Sequence, residues 1–569
     1  MNNYINEWNR KERLPDKTIS LFMEAFKTVG INTEFKENSS HKGLWYSITL
    51  IDSENHKVAT RGKGVSKEYS EASACGEFSE RLQGNWLYRV PELKPHYIDI
   101  KEVSDDTKDY LIDTFGKINF LKINSKQSIY YEMISKLLVS LPDDLVEVYA
   151  GTNGLAAGNT KTEAFVQGTC EIFERYVIKM IYEGNYTEKD FPVLDRALYE
   201  NLCSYKMLQE IENNGFQYYV KDCSLNGVFP VIGMLVMDSS RSRYCFCLSS
   251  DFNLDIALQR CITEIFQNFD IGINMKLQMH NKLESTDYWA KNIPDDYGFS
   301  KTLFNGTGQI PAWLLDCTTL KSDMVYPMGY EKLTNEQCKQ EILNIVKKLN
   351  KKIYIKDCSF LNIPALRIVI PGLSNIYWKN TFIDYPTIIT ETLQLLVKER
   401  KEKDDLYYLY KNISVILTLP LFKYECSWKK IYGPYISVYY RNEEINIYLY
   451  YTALCIKQGN YDEAVKFLKK GCDFYSNTGY HQISYYAGII IYGIRDDHDI
   501  QKIKEVVGER VNKEELEWVF GVIFEIDAIV GKIDISAEEQ KKLNAIEAFS
   551  NKHKSRMCSI CNYTDNLFA

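Results

Sequence analysis

The fold is decided by the segment Asn153-Gly-Leu-Ala-Ala-Gly-Asn-Thr160, which continues as Lys-Thr-Glu163-Ala-Phe-Val-Gln167-Gly-Thr-Cys-Glu171-Ile-Phe-Glu174-Arg175. A glycine-bearing loop leads here into a stretch with the helical period of about 3.6 residues. One face of the predicted helix carries Glu163, Gln167, Glu171, Glu174 and Arg175, and the opposite face carries Phe165, Val166, Ile172, Phe173, Tyr176 and Val177. The pattern predicts an apolar helix with a narrow acidic stripe.

Two further segments repeat this arrangement. One is Gly76-Glu77-Phe-Ser-Glu80-Arg81, and the other is Thr263-Glu264-Ile-Phe-Gln267, with Arg260 one turn earlier. In each, two oxygen ligands stand at i and i+3 on one helical face. A solvated face is the alternative for any single pair, but such a face normally mixes lysines with its glutamates, and these stripes contain none. We therefore expect three helices whose stripes converge.

Converging carboxylates need cations. They repel one another and are costly to bury unless positive charge balances them. Oxygen ligands in this number suit Mg²⁺, which takes one or two carboxylates and completes its shell with phosphate oxygens and water. Arg81, Arg175 and Arg260 would supply donors to phosphate. The stripes thus predict a site for magnesium and a phosphate-bearing ligand.

Glycine loops precede the first two helices, at Arg61-Gly-Lys-Gly64 and Gly151-Thr-Asn-Gly154. Backbone amides at such junctions can cradle phosphate, although a plain turn is the alternative for either loop alone. Thr160 and Glu163 also fit a capping box, so Glu163 has an alternative role as a helix cap. The chain contains no Walker motif, no H-E-x-x-H and no G-x-S-x-G. Cys558 and Cys561 are at most half of a zinc site, and a tail with reduced thiols is the alternative.

The length and composition exclude several classes of protein. At 569 residues the chain is too long for one core, so two or three domains are expected. The net charge of -8 and the isoelectric point near 5.7 argue against direct binding of nucleic acid over a broad basic surface. Neither a signal peptide nor a run of about 18 apolar residues is found, which predicts a cytoplasmic protein that enters no membrane. Its 15 cysteines are expected to be reduced core residues.

The pattern along the chain predicts an α/β domain over residues 1–400. It includes a helix from Lys17 to Val29 and strands at Trp45–Ile51, Tyr218–Lys221 and Val228–Met237. The charged run 398–405 is either an exposed helix end or a linker, and it marks a boundary, with a linker assigned to 401–435. Residues 436–569 predict an all-α domain, in which Ala453–Leu468 resembles a tetratricopeptide helix-turn-helix. A plain helical domain is the alternative.

These segments resemble the YcaO family. The resemblance rests on Arg61–Gly64 with Glu77-x-x-Glu80-Arg81, on the long segment 153–175, and on Ala257-Leu-x-Arg260-x-x-Thr263-Glu264-x-x-Gln267. Pro371-Gly-Leu-Ser-Asn-Ile-Tyr377 is a further match. Together these motifs span most of the first 400 residues in family order.

The resemblance implies the YcaO α/β fold, which binds ATP and Mg²⁺ without a Walker motif. Carried over by position, the residues implied to serve the metal ions are Glu77, Glu80, Glu171, Glu174, Glu264 and Gln267. Those implied to hold the nucleotide are Lys11, Thr18, Arg81, Asn159, Glu163, Arg175 and Arg260.

The resemblance also implies a reaction in which a nucleophile adds to a backbone amide of a protein or peptide and the amide oxygen takes the γ-phosphate of ATP. Azoline-forming members end in P-x-P-x-P, whereas this chain ends in Asn562–Ala569, which puts azoline formation in doubt. The helical C-terminal region instead resembles a subgroup linked to methylthiolation of a ribosomal protein, and predicts a sulfur-transfer or radical methylthiotransferase partner. An ATP-binding adaptor that recruits a modifying enzyme, an azoline-forming enzyme and a homodimer remain open, whereas a purely structural role would predict lost glutamates.

Overall fold

The computed structural model describes residues 10–56, 58–88, 97–99, 101–115, 122–124, 126–183, 186–266, 279–281, 302–303, 306, 308–323, 328–329, 332–376, 385–396, 398, 400–417, 447–473, 480–509, 521 and 536–559. These residues fall into two compact units. The first comprises Met1–Leu87, Ile98–Ile383 and Asn544–Ala569, and the second comprises Tyr88–Tyr97 and Asp384–Leu543.

Helices occur along the whole chain. They are α1 (Pro15–Thr28), α2 (Lys67–Gln83), α3 (Asp105–Phe115), α4 (Asp143–Ala150), α5 (Lys161–Glu183), α6 (Tyr205–Asn213), α7 (Leu254–Phe266), α8 (Asn335–Lys348), α9 (Tyr385–Leu396), α10 (Lys403–Ile416), α11 (Ile447–Lys457), α12 (Tyr461–Asp473), α13 (Tyr480–Arg495), α14 (Ile500–Gly508) and α15 (Ala537–Ser559). The described helices from α9 to α14 belong to the second unit.

The strands belong to four sheets. They are β1 (Thr33–His41), β2 (Trp45–Asp52), β3 (Ala59–Gly64), β4 (Tyr97–Asp99), β5 (Lys122–Asn124), β6 (Gln127–Glu132), β7 (Leu137–Pro142), β8 (Leu155–Ala157), β9 (Val193–Leu194), β10 (Phe216–Asp222), β11 (Val231–Asp238), β12 (Arg243–Ser250), β13 (His280–Asn281), β14 (Leu320–Lys321), β15 (Tyr354–Asp357) and β16 (Ala365–Val369). The strand orders are β1-β2-β3, β13-β12-β11-β10-β9-β14, β7-β6-β15-β16-β8 and β4-β5.

These elements confirm the predicted fold class, mixed α/β followed by a mostly helical region. The expected helix from Lys17 is α1, and the three expected strands are β2, β10 and β11. The cysteines that the structure describes are free thiols, and most are buried, as expected. No helix of the described part of the chain is both long and apolar enough to cross a membrane.

The three striped helices pack on different sheets of the first unit. Helix α2 packs on β2 and β3, α5 packs on β8, β16 and β12, and α7 packs on β11, β12, β2 and β3. Aromatic contacts anchor two of them, since Phe78 lies 4.8 Å from Phe26 and Phe266 stacks on Trp45 at 4.7 Å between ring centroids. Because α7 and α2 share the β2–β3 hairpin and α5 and α7 share β12, the sheets bring the three helices together.

Two glycines allow close packing next to the site. A Cβ on Gly62 of β3 would lie 2.0 Å from the backbone oxygen of Ser70 in α2. A Cβ on Gly154, which has a φ of +78°, would lie 2.3 Å from the backbone oxygen of Ile368 in β16. Both positions therefore need glycine for steric reasons.

The second unit is built from successive helices that pack against each other, α9 on α10, α10 on α11, α11 on α12, α12 on α13 and α13 on α14. The helix-turn-helix expected at Ala453–Leu468 is present as α11 and α12, with Gly459 in the turn at a φ of +74°. Its assignment to the tetratricopeptide class stays a prediction.

Part of the segment expected as a linker is folded. Residues 403–416 of the range 401–435 form α10, whose Leu409, Ile413 and Ile416 are fully buried. These residues stand at i, i+4 and i+7, so the helix has an apolar stripe beyond the charged run that suggested a linker. The limits of the domains at 400 and 436 stay predictions, and 418–435 lies outside the described residues.

Candidate functional site

Helix α5 has the predicted two-faced pattern. Phe165, Ile172, Phe173 and Val177 are fully buried, and the stripe from Glu163 to Arg175 runs along the other face. At its start, the Thr160 hydroxyl accepts a hydrogen bond from the Glu163 amide at 3.1 Å, which is half of the capping box. The Glu163 carboxylate has other partners, described next, so its role extends beyond that of a cap.

One group of contacts, which we call the Glu163 cluster, joins Lys11, Glu12, Thr18, Asn159 and Glu163. The carboxylate accepts hydrogen bonds from Lys11 Nζ at 3.0 Å, from the Glu12 amide at 3.1 Å and from Asn159 Nδ2 at 3.1 Å. The Thr18 hydroxyl donates to Asn159 Oδ1 at 2.9 Å. Burial acts to raise the pKa of Glu163, but Lys11 and the hydrogen bonds outweigh it, and the pKa is lowered.

The segment that carries Lys11 is held from a second side that the sequence did not indicate. Arg10 forms an ion pair with Asp251, and Asn335 donates to the Arg10 carbonyl at 2.8 Å and to Glu12 Oε1 at 2.7 Å. These partners lie far apart in sequence. Lys11 and Thr18, which the resemblance implies to hold the nucleotide, therefore have a defined place beside Asn159 and Glu163.

A second group, which we call the three-helix cluster, contains the carboxylates of Glu77, Glu80, Glu171, Glu174 and Glu264. Arg81 lies 3.5 Å from Glu77 and 3.4 Å from Glu80, and Arg175 Nε lies 2.8 Å from Glu171 Oε1. Arg260 reaches across from α7 and donates to Gln167 Oε1 at 2.9 Å. Gln167 belongs to the predicted stripe, but no role was assigned to it.

The electrostatics of the three-helix cluster show an excess of negative charge. Burial and the neighbouring Glu171 and Glu77 raise the pKa of Glu80 well above its ordinary value, although Arg81 opposes the shift. Burial also raises the pKa of Glu174, and Arg260, Arg175 and Lys63 offset part of the effect. Two carboxyls from different helices are thus destabilised as anions, which a bound cation would relieve.

A lysine that the predicted site did not include enters this cluster from a strand. Lys63 of β3 forms an ion pair with Glu264 of α7, and its side chain is 24% exposed. Burial and Arg260 lower the pKa of Lys63 to about 8, with Cys247, Glu174 and Glu77 opposing. The glycine loop Arg61–Gly64 contained the signal, but its flanking glycines drew attention to the backbone rather than to the lysine.

The donor chemistry fits Mg²⁺, although the carboxylates are paired with cations. Within the described part of the chain, no three acidic, histidine or cysteine side chains are placed together to hold a metal ion. Arginine and lysine instead contact Glu77, Glu80, Glu171 and Glu264. Oxygen ligands from three helices and the raised pKa of Glu80 suit a divalent cation that displaces some of these partners. Gln267, the sixth expected ligand, lies outside the described residues.

The candidate half zinc site at Cys558 and Cys561 lies shortly after His553 in the sequence. His553 of α15 lies 3.3 Å from the Asp357 carbonyl and 3.8 Å from its carboxylate. Cys561 and the side chain of Cys558 lie outside the described residues, so their role stays a prediction.

Comparison with known families identifies the chain. Residues 61–374, more than half of its length, match the family described as YcaO cyclodehydratase, ATP- and Mg²⁺-binding. The chain belongs to the YcaO family. As a member of this family, it has ATP and Mg²⁺ as its ligands.

Two relatives are similar over most of this YcaO protein. An uncharacterized protein of Haemophilus influenzae is 26% identical over 463 residues, which are 69% of this chain and 73% of the relative. The ribosomal protein S12 methylthiotransferase accessory factor YcaO of Escherichia coli is 25% identical over 405 residues, 64% of this chain and 66% of the relative. The match thus leaves about a third of the Escherichia coli protein uncovered.

The chain also matches two solved structures in part. A heterocyclase in complex with substrate and cofactor is 18% identical, with a TM-score of 0.46, over 64% of this chain and 53% of the heterocyclase. YcaO from Methanopyrus kandleri, bound with AMPPCP and Mg²⁺, is 14% identical, with a TM-score of 0.42, over 64% of this chain and 93% of that protein.

Proposed function

We propose that the chain uses ATP and Mg²⁺ to activate a backbone amide of a protein or peptide by phosphorylating the amide oxygen. The observation that carries this proposal is the three-helix cluster, where carboxylates with raised pKa values adjoin three arginines. Phosphoryl transfer mainly requires positioning and charge neutralisation, which such a site supplies. Membership of the family makes ATP-dependent peptide modification the general class of reaction.

The two clusters divide the binding of Mg·ATP between them. The proposed metal ligands are Glu77, Glu80, Glu171, Glu174, Glu264 and Gln267. The proposed nucleotide contacts are Lys11, Thr18, Arg81, Asn159, Glu163, Arg175 and Arg260. Mg²⁺, when bound by these carboxylates, would neutralise charge on the phosphates. Because Glu163 and Glu174 lie on one helix, about 16 Å apart along its axis, α5 would align the nucleotide with the metal site.

The proposed reaction has three steps. A substrate Cys, Ser or Thr side chain, or external sulfide, bonds to the amide carbon and gives up its proton, and the carbonyl electron pair moves to the amide oxygen. That oxygen attacks the γ-phosphorus, the bond to the bridging oxygen breaks, and ADP leaves. The bond between the amide carbon and the phosphorylated oxygen then breaks and phosphate leaves. A proton is lost from the amide nitrogen to form the C=N bond of an azoline, or from the added sulfur to form the C=S bond of a thioamide. The arginines would hold the charge of the transferring phosphoryl group.

The biological role we propose is in ribosomal protein methylthiolation. Support comes from the Escherichia coli relative, which is named an accessory factor for the S12 methylthiotransferase. On this proposal the partner is a radical methylthiotransferase or a sulfur-transfer protein. Because this relative is named an accessory factor, a second candidate function is that of an ATP-binding adaptor, which would recruit the modifying enzyme through its second unit.

The test is calorimetric titration of ATP, with and without Mg²⁺, into the wild type and Glu174→Ala. We expect binding that requires Mg²⁺ and that the substitution abolishes. Glu183→Ala is the matched control, because Glu183 lies on α5 beyond the stripe and pairs with Lys179 at 3.8 Å. If the wild type binds no nucleotide, or Glu174→Ala binds as well as the wild type, the three-helix site is wrong.

A second assay separates the enzyme from the adaptor. ADP release would be measured with ribosomal protein S12 and its methylthiotransferase present, alongside a pull-down of both. Turnover that depends on S12 supports amide activation. Retained capture of the methylthiotransferase with no ADP release favours the adaptor.

A further inference from the structure

Lys63 of β3 lies among charged side chains of the three striped helices. It pairs with Glu264 of α7, and its electrostatic neighbours include Glu174 of α5 and Glu77 of α2. It thus contacts one striped helix through Glu264 and lies in the electrostatic field of carboxylates on the other two, although it belongs to a strand. It lies within the matched segment Arg61–Gly64, but no metal-binding or nucleotide-binding role was carried over to it.

The backbone of Lys63 is fixed while its side chain has several rotatable bonds. A Cβ on Gly62 would lie 2.0 Å from the Ser70 carbonyl oxygen, and one on Gly64 would lie 2.7 Å from the Ser70 amide nitrogen. The Ser70 hydroxyl also donates to the Gly62 carbonyl at 2.9 Å. Because β3 is held against α2, only the four-carbon side chain of Lys63 is free to change partners.

The charge pairs in the three-helix cluster give Lys63 a different role from that of the arginines. Arg81 contacts Glu77 and Glu80, Arg175 contacts Glu171, and Arg260 contacts Gln167. Glu264 has Lys63 as its cationic partner, so a metal ion that binds Glu264 must take over that role. The ammonium group is then released beside the phosphates that complete the Mg²⁺ shell.

We infer that Lys63 exchanges partners: it neutralises Glu264 in the nucleotide-free protein and donates to a phosphate oxygen of ATP when Mg²⁺ takes Glu264. Lysine is an established phosphate ligand that acts as a compact charge. This inference rests on the proposed function, because it requires Mg·ATP in the three-helix cluster. It makes Lys63 a catalytic residue, since it would contact the reacting nucleotide.

The test uses Lys63→Met, which removes the charge and keeps most of the stem. Binding of Mn²⁺ alone is measured by electron paramagnetic resonance, and binding of a nonhydrolysable ATP analogue with Mg²⁺ is measured by calorimetry. We expect Mn²⁺ affinity without nucleotide to rise about tenfold, since Glu264 loses its competing cation, and affinity for the Mg²⁺–analogue complex to fall about tenfold. A merely structural role would not move the two affinities in opposite directions.

Lys11→Met is the matched control, because Lys11 pairs with Glu163 outside the three-helix cluster. This substitution should lower the affinity for the ATP analogue and leave the affinity for Mn²⁺ unchanged. Lys63→Gln repeats the measurement if Lys63→Met does not fold. If both affinities fall together in the folded variant, or neither changes while the wild type binds the complex, the partner exchange is wrong and the proposed function stands. If the wild type does not bind the complex, the proposed function itself fails.

Discussion

The two clusters on α5 differ in how their carboxylates are compensated. Glu163 accepts hydrogen bonds from a lysine, an asparagine and a backbone amide, and its pKa is lowered. Glu80 and Glu174, on the three-helix side, have raised pKa values because burial and neighbouring glutamates outweigh their arginines. The carboxylate at one end of the candidate site is therefore already compensated by protein groups, whereas the other end carries negative charge that a metal ion would balance.

The largest effect is expected from Glu80→Gln. Neutralising this carboxyl removes a proposed metal ligand, so affinity for ATP in the presence of Mg²⁺ should fall by about a hundredfold, or about 2.7 kcal/mol. Calorimetry checks this, with Glu71→Gln on the same helix as the control. An unchanged affinity in Glu80→Gln would show that this end of the site needs no carboxylate at Glu80.

Asp143 sharpens the comparison as a compensated carboxylate outside both clusters. It accepts hydrogen bonds from Tyr130 at 2.7 Å and Ser128 at 3.0 Å and pairs with Lys356. Burial acts against its ionisation, but Lys356 and the Tyr130 hydrogen bond lower its pKa to about 2. The stabilisation is therefore fully present above the ordinary pKa of 3.8 and is lost as the pH falls through about 2.

Asp143→Asn should lower the opening free energy of the surrounding strands by about 2 kcal/mol at pH 7. The difference in opening free energy between the variant and the wild type should decrease below about pH 4. Hydrogen exchange at the β6 and β15 amides measures it. Asp105→Asn is the control, since the Asp105 side chain is 96% exposed. If the difference in opening free energy stays the same at pH 2, the charge of Asp143 is not the cause of the stabilisation.

The smallest expected effects are changes in stability, and they test directly whether the two clusters differ in charge compensation. Glu163→Gln should lower the free energy of unfolding by about 1 to 2 kcal/mol, because Lys11 and the Glu12 amide lose a charged acceptor. Glu80→Gln should leave stability unchanged or raise it by up to about 1 kcal/mol, because a neutral amide removes repulsion. Denaturant unfolding of both variants gives the signs, and a loss of stability in both would break the distinction between the clusters.

The parts of this molecule that the sequence predicts are those governed by local periodicity. The stripe on α5 is visible because Glu163, Gln167 and Glu171 repeat every helical turn, and the motif order then places α2 and α7 beside it. The pairs Arg10–Asp251 and Lys63–Glu264 join residues remote in sequence, so no local pattern reveals them. Helix α10 is a different case, since its first turn lies in the charged run 398–405, which fits an exposed helix end as well as a linker, and its apolar repeat at Leu409, Ile413 and Ile416 begins only later.

The contact of His553 with Asp357 has a consequence for biosynthesis. Asp357 also pairs with Lys161, the first residue of α5, at 3.0 Å. Residues 544–559 belong to the first unit, yet the ribosome makes them after the whole of the second unit. The first unit therefore completes its native contacts only after most of the chain has been translated, a condition that favours dependence of the nascent chain on chaperones.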